Sequence, residues 1–119
     1  MLSFPNSLRI FIALEPCDMR AGVNSLHALV SERLKEQTRD GALYVFTNKR
    51  RKLLKILYFD GTGLWLMSKR LEQGCFFWPR AAVDGQVKLQ LAPEAFAMLT
   101  DGIDMHGARP RAWYERGSA

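Results

Sequence analysis

Positive charge is concentrated in one short stretch of this chain. The stretch from Asn48 to Arg70, NKRRKLLKILYFDGTGLWLMSKR, holds seven of the seventeen Lys and Arg residues and a single acid, Asp60. Ammonium and guanidinium groups collected in this way can contact the phosphates of a nucleic acid. The candidate nucleic-acid-binding residues are therefore Lys49, Arg50, Arg51, Lys52, Lys55, Lys69 and Arg70.

Residues that could perform catalysis or hold a metal are not grouped along the chain. His27 and His106 have no Cys, His or carboxylate neighbours at the spacing of metal ligands. Cys17 and Cys75 form no CxxC pair, so we expect free thiols. The aspartates that could serve as acids or bases are scattered: Asp18, Asp60, Asp84 and Asp104. The sequence predicts no catalytic residue, metal or cofactor, and hence a protein that is not an enzyme.

The composition is that of an ordinary globular protein, with 48% hydrophobic and 24% charged residues in 119 positions. This length predicts one domain, which we place at residues 1–105, followed by a flexible basic tail at 106–119. The net charge of +5 favours acidic partners. The first apolar run, Ile10 to Leu14, is too short for a signal peptide or a membrane helix, which predicts a cytoplasmic protein.

The spacing of apolar residues predicts the elements that position the basic residues. Apolar and other residues alternate from Leu8 to Leu14, a period of two that indicates a strand ended by Pro16. Asp18 is placed to accept the free amides of a helix predicted from Met19 to Glu36. Gly22 weakens the first turn of that helix and could move its start to the following residue.

Strands rich in branched and aromatic residues are predicted next, as an antiparallel meander: Leu43–Thr47, Leu53–Phe59 and Leu64–Ser68. The residues Asp60 to Gly63 suit a tight hairpin turn. Short strands are predicted at Cys75–Trp78 and Gln86–Leu91, and a last helix from Pro93 to Thr100, ended by Gly102. The predicted fold class is α+β, a mainly antiparallel sheet packed against one main helix, with a short C-terminal helix.

Pairing the strands predicts where the charge lies. A four-residue turn pairs Leu53 with Arg70, which places Lys69 and Arg70 at the end of the hairpin far from the glycines. The connection from Asn48 to Lys52 lies at that same end. Repulsion within this group of cations opposes folding unless counterions or a polyanion are present. A binding edge and a merely solvated loop fit this charge pattern equally well.

Aromatic residues of the meander are predicted, in the same register, to share one face: Tyr44, Phe46, Tyr58 and Trp65. Aromatic side chains beside basic loops can stack on the bases of single-stranded nucleic acid. Aromatic side chains on one face of a sheet also form the core against a helix. We favour the core, because the predicted main helix needs an apolar surface to cover.

A series of motifs resembles a known protein family. Asp18 to Arg20, DMR, is followed by ALYVFTNKRRKLLKILYFDGTGLWLMSKRLEQGCFFWP from Ala42 to Pro79. From Leu8 to Gly102 the chain is similar to the accessory protein called TnpB, or Orf2-like, of the bacterial insertion-sequence family numbered sixty-six. The motif residues to which we assign structural roles are Asp18, Arg20, Asp60, Gly63, Trp65 and Trp78.

The resemblance implies a role in DNA transposition, beside a separate transposase that carries the catalytic residues. We expect a non-catalytic accessory factor that contacts DNA phosphates through its basic residues, with DNA and the transposase as partners. The second hypothesis is a protein-interaction adaptor that docks on the transposase without binding DNA. A nuclease ranks below both, because it would need carboxylates gathered around a metal.

Overall fold

The computed structural model describes residues 8–18 and 20–103. Met19, Asp104, His106 and the predicted tail at 106–119 lie outside the described residues. The α+β class predicted from the sequence is confirmed. The elements are strands β1 (Ile10–Ala13), β2 (Leu43–Thr47), β3 (Leu53–Phe59), β4 (Leu64–Arg70) and β5 (Lys88–Leu91), helices α1 (Val23–Glu32) and α2 (Pro93–Thr100), and a 3-10 turn at Thr38–Asp40. Neither helix of the described part is long and apolar enough to cross a membrane.

The strands form one mixed sheet in the order β4-β3-β2-β1-β5. The predicted antiparallel meander of β2, β3 and β4 is confirmed. β1 instead runs parallel to β2, because the connection through α1 returns the chain to the starting end of the sheet before β2 begins. β5 pairs antiparallel with the other side of β1, which places β1 in the interior of the sheet.

Apolar clusters cover both faces of the sheet. On one face, here the α1 face, Leu26 and Val30 of the helix pack with Phe11, Tyr44 and Leu57. On the opposite face, the α2 face, the helix residues Ala95 and Leu99 pack with others from the sheet and from the segment that follows β4: Ile10, Ile12, Val45, Tyr58, Phe76 and Trp78. β1 is therefore buried on both sides, which explains why all four of its residues are apolar.

Helix α1 is shorter than predicted at both ends. It begins at Val23 with Gly22 as its N-cap, and no side chain caps it, so the prediction that Asp18 caps the helix is wrong. The possible later start after Gly22 is confirmed. The helix ends at Glu32 rather than Glu36, and Lys35 adopts a left-handed backbone with φ of 56°.

The predictions for the second half of the chain are mostly confirmed. Residues 75–78 are not a strand, although the backbone N–H of Phe76 donates to the Arg51 carbonyl at 2.6 Å. β5 begins at Lys88, two residues later than predicted. α2 runs from Pro93 to Thr100 as predicted, with proline in its first turn, and Gly102 follows it with φ of 74°.

The aromatic residues of the meander do not share one face. Tyr44 pairs with Leu57, and Tyr58 pairs with Leu43. Paired residues point to the same face and neighbours along a strand point to opposite faces, so Tyr44 and Tyr58 lie on opposite faces of the sheet. Tyr44 and Phe46 therefore lie on the α1 face, whereas Tyr58 and its cross-strand neighbour Trp65 lie on the α2 face. Core packing is confirmed for the first three, but Trp65 is 44% exposed.

Candidate nucleic-acid interface

The register of the β3–β4 hairpin brings two groups of cations to one end of the sheet. Leu53 pairs with Arg70 and Leu54 with Lys69, as predicted. The Leu71 backbone N–H donates to the Lys52 carbonyl at 3.2 Å and extends this pairing to the connection between β2 and β3. That connection, Asn48–Lys52, is here the basic loop. The basic edge comprises Lys49, Arg50, Arg51, Lys52, Lys69 and Arg70.

One side chain organises the backbone of the basic loop. The Asn48 carboxamide oxygen accepts the backbone N–H groups of Lys52 at 3.0 Å and Leu53 at 3.4 Å. The Asn48 carbonyl accepts the Arg51 N–H at 3.0 Å. A short polar side chain that bonds the backbone ahead of it is a common way to order a turn. The loop therefore has a defined conformation before any ligand binds.

Arg51 adopts a left-handed backbone, with φ of 57°. Its carbonyl accepts the N–H of Phe76, which is fully buried, so the loop is fastened to the core cluster of the α2 face. Residues with a side chain rarely take this conformation, and glycine is the usual occupant. The loop thus carries a cation at a position where backbone sterics favour glycine.

Most cations of the basic edge have no acidic partner within the part of the chain that the structure describes. Within residues 8–18 and 20–103, ion pairs to carboxylates are made by Arg20, Arg33, Lys69 and Lys88. All four cations of the basic loop are exposed, as is Arg70, and none of them is in that group. Lys69 differs, because its ammonium group lies 3.4 Å from the Asp101 carboxylate on the α2 face. Five cations that have no acidic partner among the described residues therefore lie at one end of the sheet.

Lys55 does not belong to the basic edge. It lies in the middle of β3, opposite Phe46 and Ser68, and points to the α1 face. Its ammonium group donates to the Ala21 carbonyl at 2.9 Å, just before α1 begins. A half-buried lysine bonded to the backbone holds the helix entrance against the sheet, which is a structural role. The alternation of side chains along β3 could have indicated that Lys55 points into the fold, since it lies two residues before the buried Leu57 and therefore on the same face.

A cleft adjoins the basic loop and adds one cation that the sequence did not single out. Its volume is about 460 Å³, and Lys49, Arg51 and Arg80 line it together with residues of the segment 78–87. Arg80 follows Pro79 in a region predicted to be a strand end, so charge spacing alone gave no signal for it. Only the fold brings Arg80 beside the basic loop.

Metal-binding and nucleophilic groups are not assembled in the described part of the chain. Residues 8–18 and 20–103 contain no group of three His, Cys, Asp or Glu residues placed to hold a metal. His27 lies 3.5 Å from the Thr38 hydroxyl. Cys17 and Cys75 are free thiols, as predicted, and burial raises the pKa of Cys17. The arrangement of the basic edge suits the binding of an anion.

Comparison with known proteins assigns the chain to a family. The family model described as IS66 Orf2 like protein matches residues 8–110. The chain belongs to this family. Two relatives, the uncharacterized proteins y4jC and y4hO of Sinorhizobium fredii, are each 39% identical to it over 104 residues, or 87% of this chain and 86% and 88% of theirs. No solved structure was found to match. The resemblance seen in the sequence is confirmed, and it links the chain to an accessory role in transposition of insertion sequences.

The first motif of this IS66 Orf2-like chain forms a local turn ahead of α1. The Asp18 carboxylate accepts the Arg20 backbone N–H at 2.9 Å and the Arg20 guanidinium at 2.7 Å, so the prediction that Arg20 reaches a carboxylate is confirmed. These side-chain and backbone hydrogen bonds from Arg20 lower the pKa of Asp18 to about 2. Both residues are exposed, and the pair lies before the helix, beside the Lys55–Ala21 contact.

The second motif forms the turn between β3 and β4, here the distal turn, Asp60–Gly63. The Asp60 carboxylate accepts N–H groups from Thr62 and Gly63, the Thr62 hydroxyl, and the Trp65 indole N–H at 2.7 Å. The Thr62 backbone bond, then the indole and hydroxyl bonds, hold the pKa of Asp60 far below its usual range. Asp60, Gly63 and Trp65 therefore build one turn, at the opposite end of the hairpin from the basic edge.

The last motif residue, Trp78, lies in the core of the α2 face. Its indole N–H donates to the Ala13 carbonyl at 2.9 Å, at the end of β1. This bond satisfies the only polar atom of a large buried side chain. Trp78 thereby fixes the start of the segment that forms one wall of the cleft.

Proposed function

We propose that this IS66 Orf2-like protein is a non-enzymatic accessory factor that binds DNA phosphates through the basic edge. The observation that carries this proposal is a group of five cations that have no acidic partner within residues 8–18 and 20–103. They are held on an ordered loop and the adjoining strand. Contact with bacterial DNA requires a cytoplasmic location, which is part of the proposal. The family's link to transposition supplies the biological setting.

The position of Arg51 supports a functional reason for the charge. A left-handed conformation costs a residue with a side chain roughly 1–2 kcal/mol relative to glycine. The neighbouring cations of the basic edge also repel one another, which lowers the free energy of unfolding. Neither cost improves the packing of the loop. Lys35 has the same backbone conformation outside the basic edge, so the argument for a binding role rests on the position of Arg51 among the other cations of that edge.

The proposed binding does not read base sequence. Phosphate contacts position a protein on DNA but carry no base information. Helix α1 contains no Lys or Arg, and its apolar side packs on the sheet, so it is poorly suited to the major groove. Sequence preference is therefore expected to come from DNA shape or from the transposase.

Salt dependence of binding tests the proposal. If the basic edge neutralises about four to six phosphates, log K should fall with log salt at a slope of about −3.6 to −5.4, following roughly −0.9 per phosphate. Replacing Arg50 and Arg51 with alanine should flatten that slope by up to about two units, equally on all duplex sequences. The readout is fluorescence anisotropy of labelled duplexes over a range of salt concentrations.

The matched control removes the same charge elsewhere. Lys35 and Arg39 are exposed cations on the connection between α1 and β2, outside the basic edge. Their double replacement by alanine should leave the slope within error of the parent protein. An equal loss of slope in both double variants would mean that net charge alone drives binding, and this would overturn the role given to the basic edge.

A second candidate function rests on a different surface. Trp65 is 44% exposed and lies on β4, which is an edge strand of the sheet. Exposed aromatic residues are frequent anchors of protein interfaces, and an edge strand can accept a strand from a partner. An adaptor that docks on the transposase through this edge would lose transposase capture on Trp65→Ala, whereas Arg50 and Arg51 could be replaced without effect.

A further inference from the structure

The cleft beside the basic loop lies at the ends of two parallel strands. Leu14 follows β1 and Thr47 ends β2, and both line the cleft with the segment 78–87. Ligands often bind outside the carboxyl ends of parallel strands, where neighbouring connections diverge and leave a crevice. Lys49 and Arg51 contribute to the lining, so the cleft opens directly onto the basic edge.

The charge of the cleft suits an anion. Its lining includes the cations Lys49, Arg51 and Arg80 and the acids Glu15 and Asp84. Glu15 is already paired, with its carboxylate 2.5 Å from the Arg33 guanidinium. The remaining lining therefore has an excess of positive charge. None of the three cations has an ion pair within residues 8–18 and 20–103.

The segment 79–87 adds apolar residues to the lining of the cleft, alongside Arg80, Asp84 and Gln86. Val83 is 67% exposed, and the wall also contains small apolar residues: Pro79, Ala81, Ala82 and Val87. An exposed valine side chain offers van der Waals contact to a base, beside cations that have no ion pair within the described residues. The combination of cations and apolar side chains matches the two parts of a nucleotide.

The wall is held in place by its own hydrogen bonds. The Gln86 side chain accepts the Ala82 N–H at 2.7 Å and donates to the Lys88 carbonyl at 3.1 Å, which ties the segment to β5. The Gln86 backbone N–H donates to the Val83 carbonyl at 3.2 Å and closes a turn around Gly85, whose φ is 82°. The cleft is therefore formed without a ligand, as most small-ligand sites are.

We propose that the cleft receives one unpaired nucleotide at the end of a DNA strand whose duplex lies on the basic edge. The phosphate would contact Lys49, Arg51 and Arg80, and the base would lie against Val83. A volume of about 460 Å³ falls in the range of small-molecule sites, roughly 300–1,000 Å³. This inference rests on the proposed function, and it adds a preference for duplexes that carry an unpaired end.

Two duplexes of identical paired sequence, one blunt and one with a short single-stranded overhang, test the inference with the full chain. The parent protein should bind the overhang duplex roughly three- to tenfold more tightly, because the base would cover the apolar side chain of Val83 and the added phosphate would meet three cations. Val83→Asn should abolish this preference and leave the affinity for the blunt duplex unchanged, because it alters no charge. Arg80→Gln should reduce the preference as well.

Ile103→Asn is the matched control, because Ile103 is also exposed, at 44%, but does not line the cleft. It should retain the full preference for the overhang. Equal binding of the two duplexes by the parent protein, with a normal salt slope, would overturn the inference and leave the proposed function standing. Absence of salt-dependent binding to either duplex would overturn both. Displacement of the overhang by poly-glutamate but not by a mononucleotide would assign the cleft to an acidic peptide and overturn the nucleotide inference.

Discussion

The two turns that flank β3 are ordered by the same kind of side-chain hydrogen bond but carry opposite charge. In each, the first residue is an Asx residue whose side-chain oxygen accepts two backbone N–H groups further along: Asn48 in the basic loop and Asp60 in the distal turn. The distal turn uses its one carboxylate internally, through the Trp65 indole and the Thr62 hydroxyl. The basic loop leaves four cations facing solvent, none of which pairs with an acid of the described residues.

This comparison distinguishes the hydrogen bonds that form a turn from the charged side chains that the turn presents to solvent. The hydrogen bonds described in the basic loop join the Asn48 carboxamide and backbone groups, and they do not use the cationic side chains. The distal turn shows that the chain can build an internally satisfied turn of similar length. The cations of the basic loop are thus free to serve binding, and substitutions at the two turns should change different properties.

The largest expected effect is on DNA affinity in Arg51→Gly. The change removes a cation at a position where φ is 57°, which suits glycine. We expect the salt slope to flatten by about one unit, while the free energy of unfolding stays the same or rises by up to about 1 kcal/mol. Anisotropy titrations and chemical denaturation of the same protein would measure the two quantities.

Lys35→Gly is the matched control. Apart from Arg51, Lys35 is the only described non-glycine residue with a positive φ, at 56°. It should show the same change in stability with no change in salt slope. A clear loss of stability in Arg51→Gly would indicate that the arginine side chain helps to hold the loop, and the separation of roles would fail.

A smaller effect is expected from Asn48→Ala. This change removes the acceptor for the Lys52 and Leu53 amides and should lower the free energy of unfolding by about 1–2 kcal/mol. DNA affinity should fall modestly, because the loop must be ordered on binding, but the salt slope should not change since no charge is lost. A changed slope would show that the cations no longer reach the same phosphates.

The smallest effect at neutral pH is expected at the distal turn. Because the folded state lowers the pKa of Asp60, its carboxylate stabilises the fold above its unfolded pKa of about 4, and this contribution is lost as pH falls through the lower folded pKa. Asp60→Asn should remove that part of the acid dependence, while DNA affinity at pH 7 stays unchanged. Thermal midpoints from pH 7 to pH 2, compared between the two proteins, would measure it. Identical pH profiles would contradict the assignment.

Local patterns predicted the part of the fold that carries the basic edge. The glycine turn fixed the register of β3 with β4, and Leu53 and Arg70 pair as expected. The same alternation placed Tyr58 beside Trp65 correctly. It failed for Tyr44, because the register between β2 and β3 depends on the conformation of the basic loop, including a left-handed arginine that the sequence does not signal.

The remaining features depend on contacts between distant segments. The order strand, helix, strand at the start of the chain is typical of a parallel pair, and this signal could have predicted the pairing of β1 with β2. The partners of Lys55 and Lys69, at Ala21 and Asp101, lie 34 and 32 residues away along the chain. Arg80 reaches the cleft only because Trp78 is bonded to the end of β1. Spacing along a strand cannot predict such contacts.

The pairing of β1 with β5 affects the order in which the newly made chain can fold. Ile10–Ala13 is synthesised before its partner Lys88–Leu91, and the other three strands lie between them in the chain. At about 5–20 residues per second, the ribosome needs roughly 4–16 s to make the intervening segment. During that interval one edge of an entirely apolar strand has no partner in the chain, which makes IFIA a natural binding site for a chaperone and a point where premature association of nascent chains can begin.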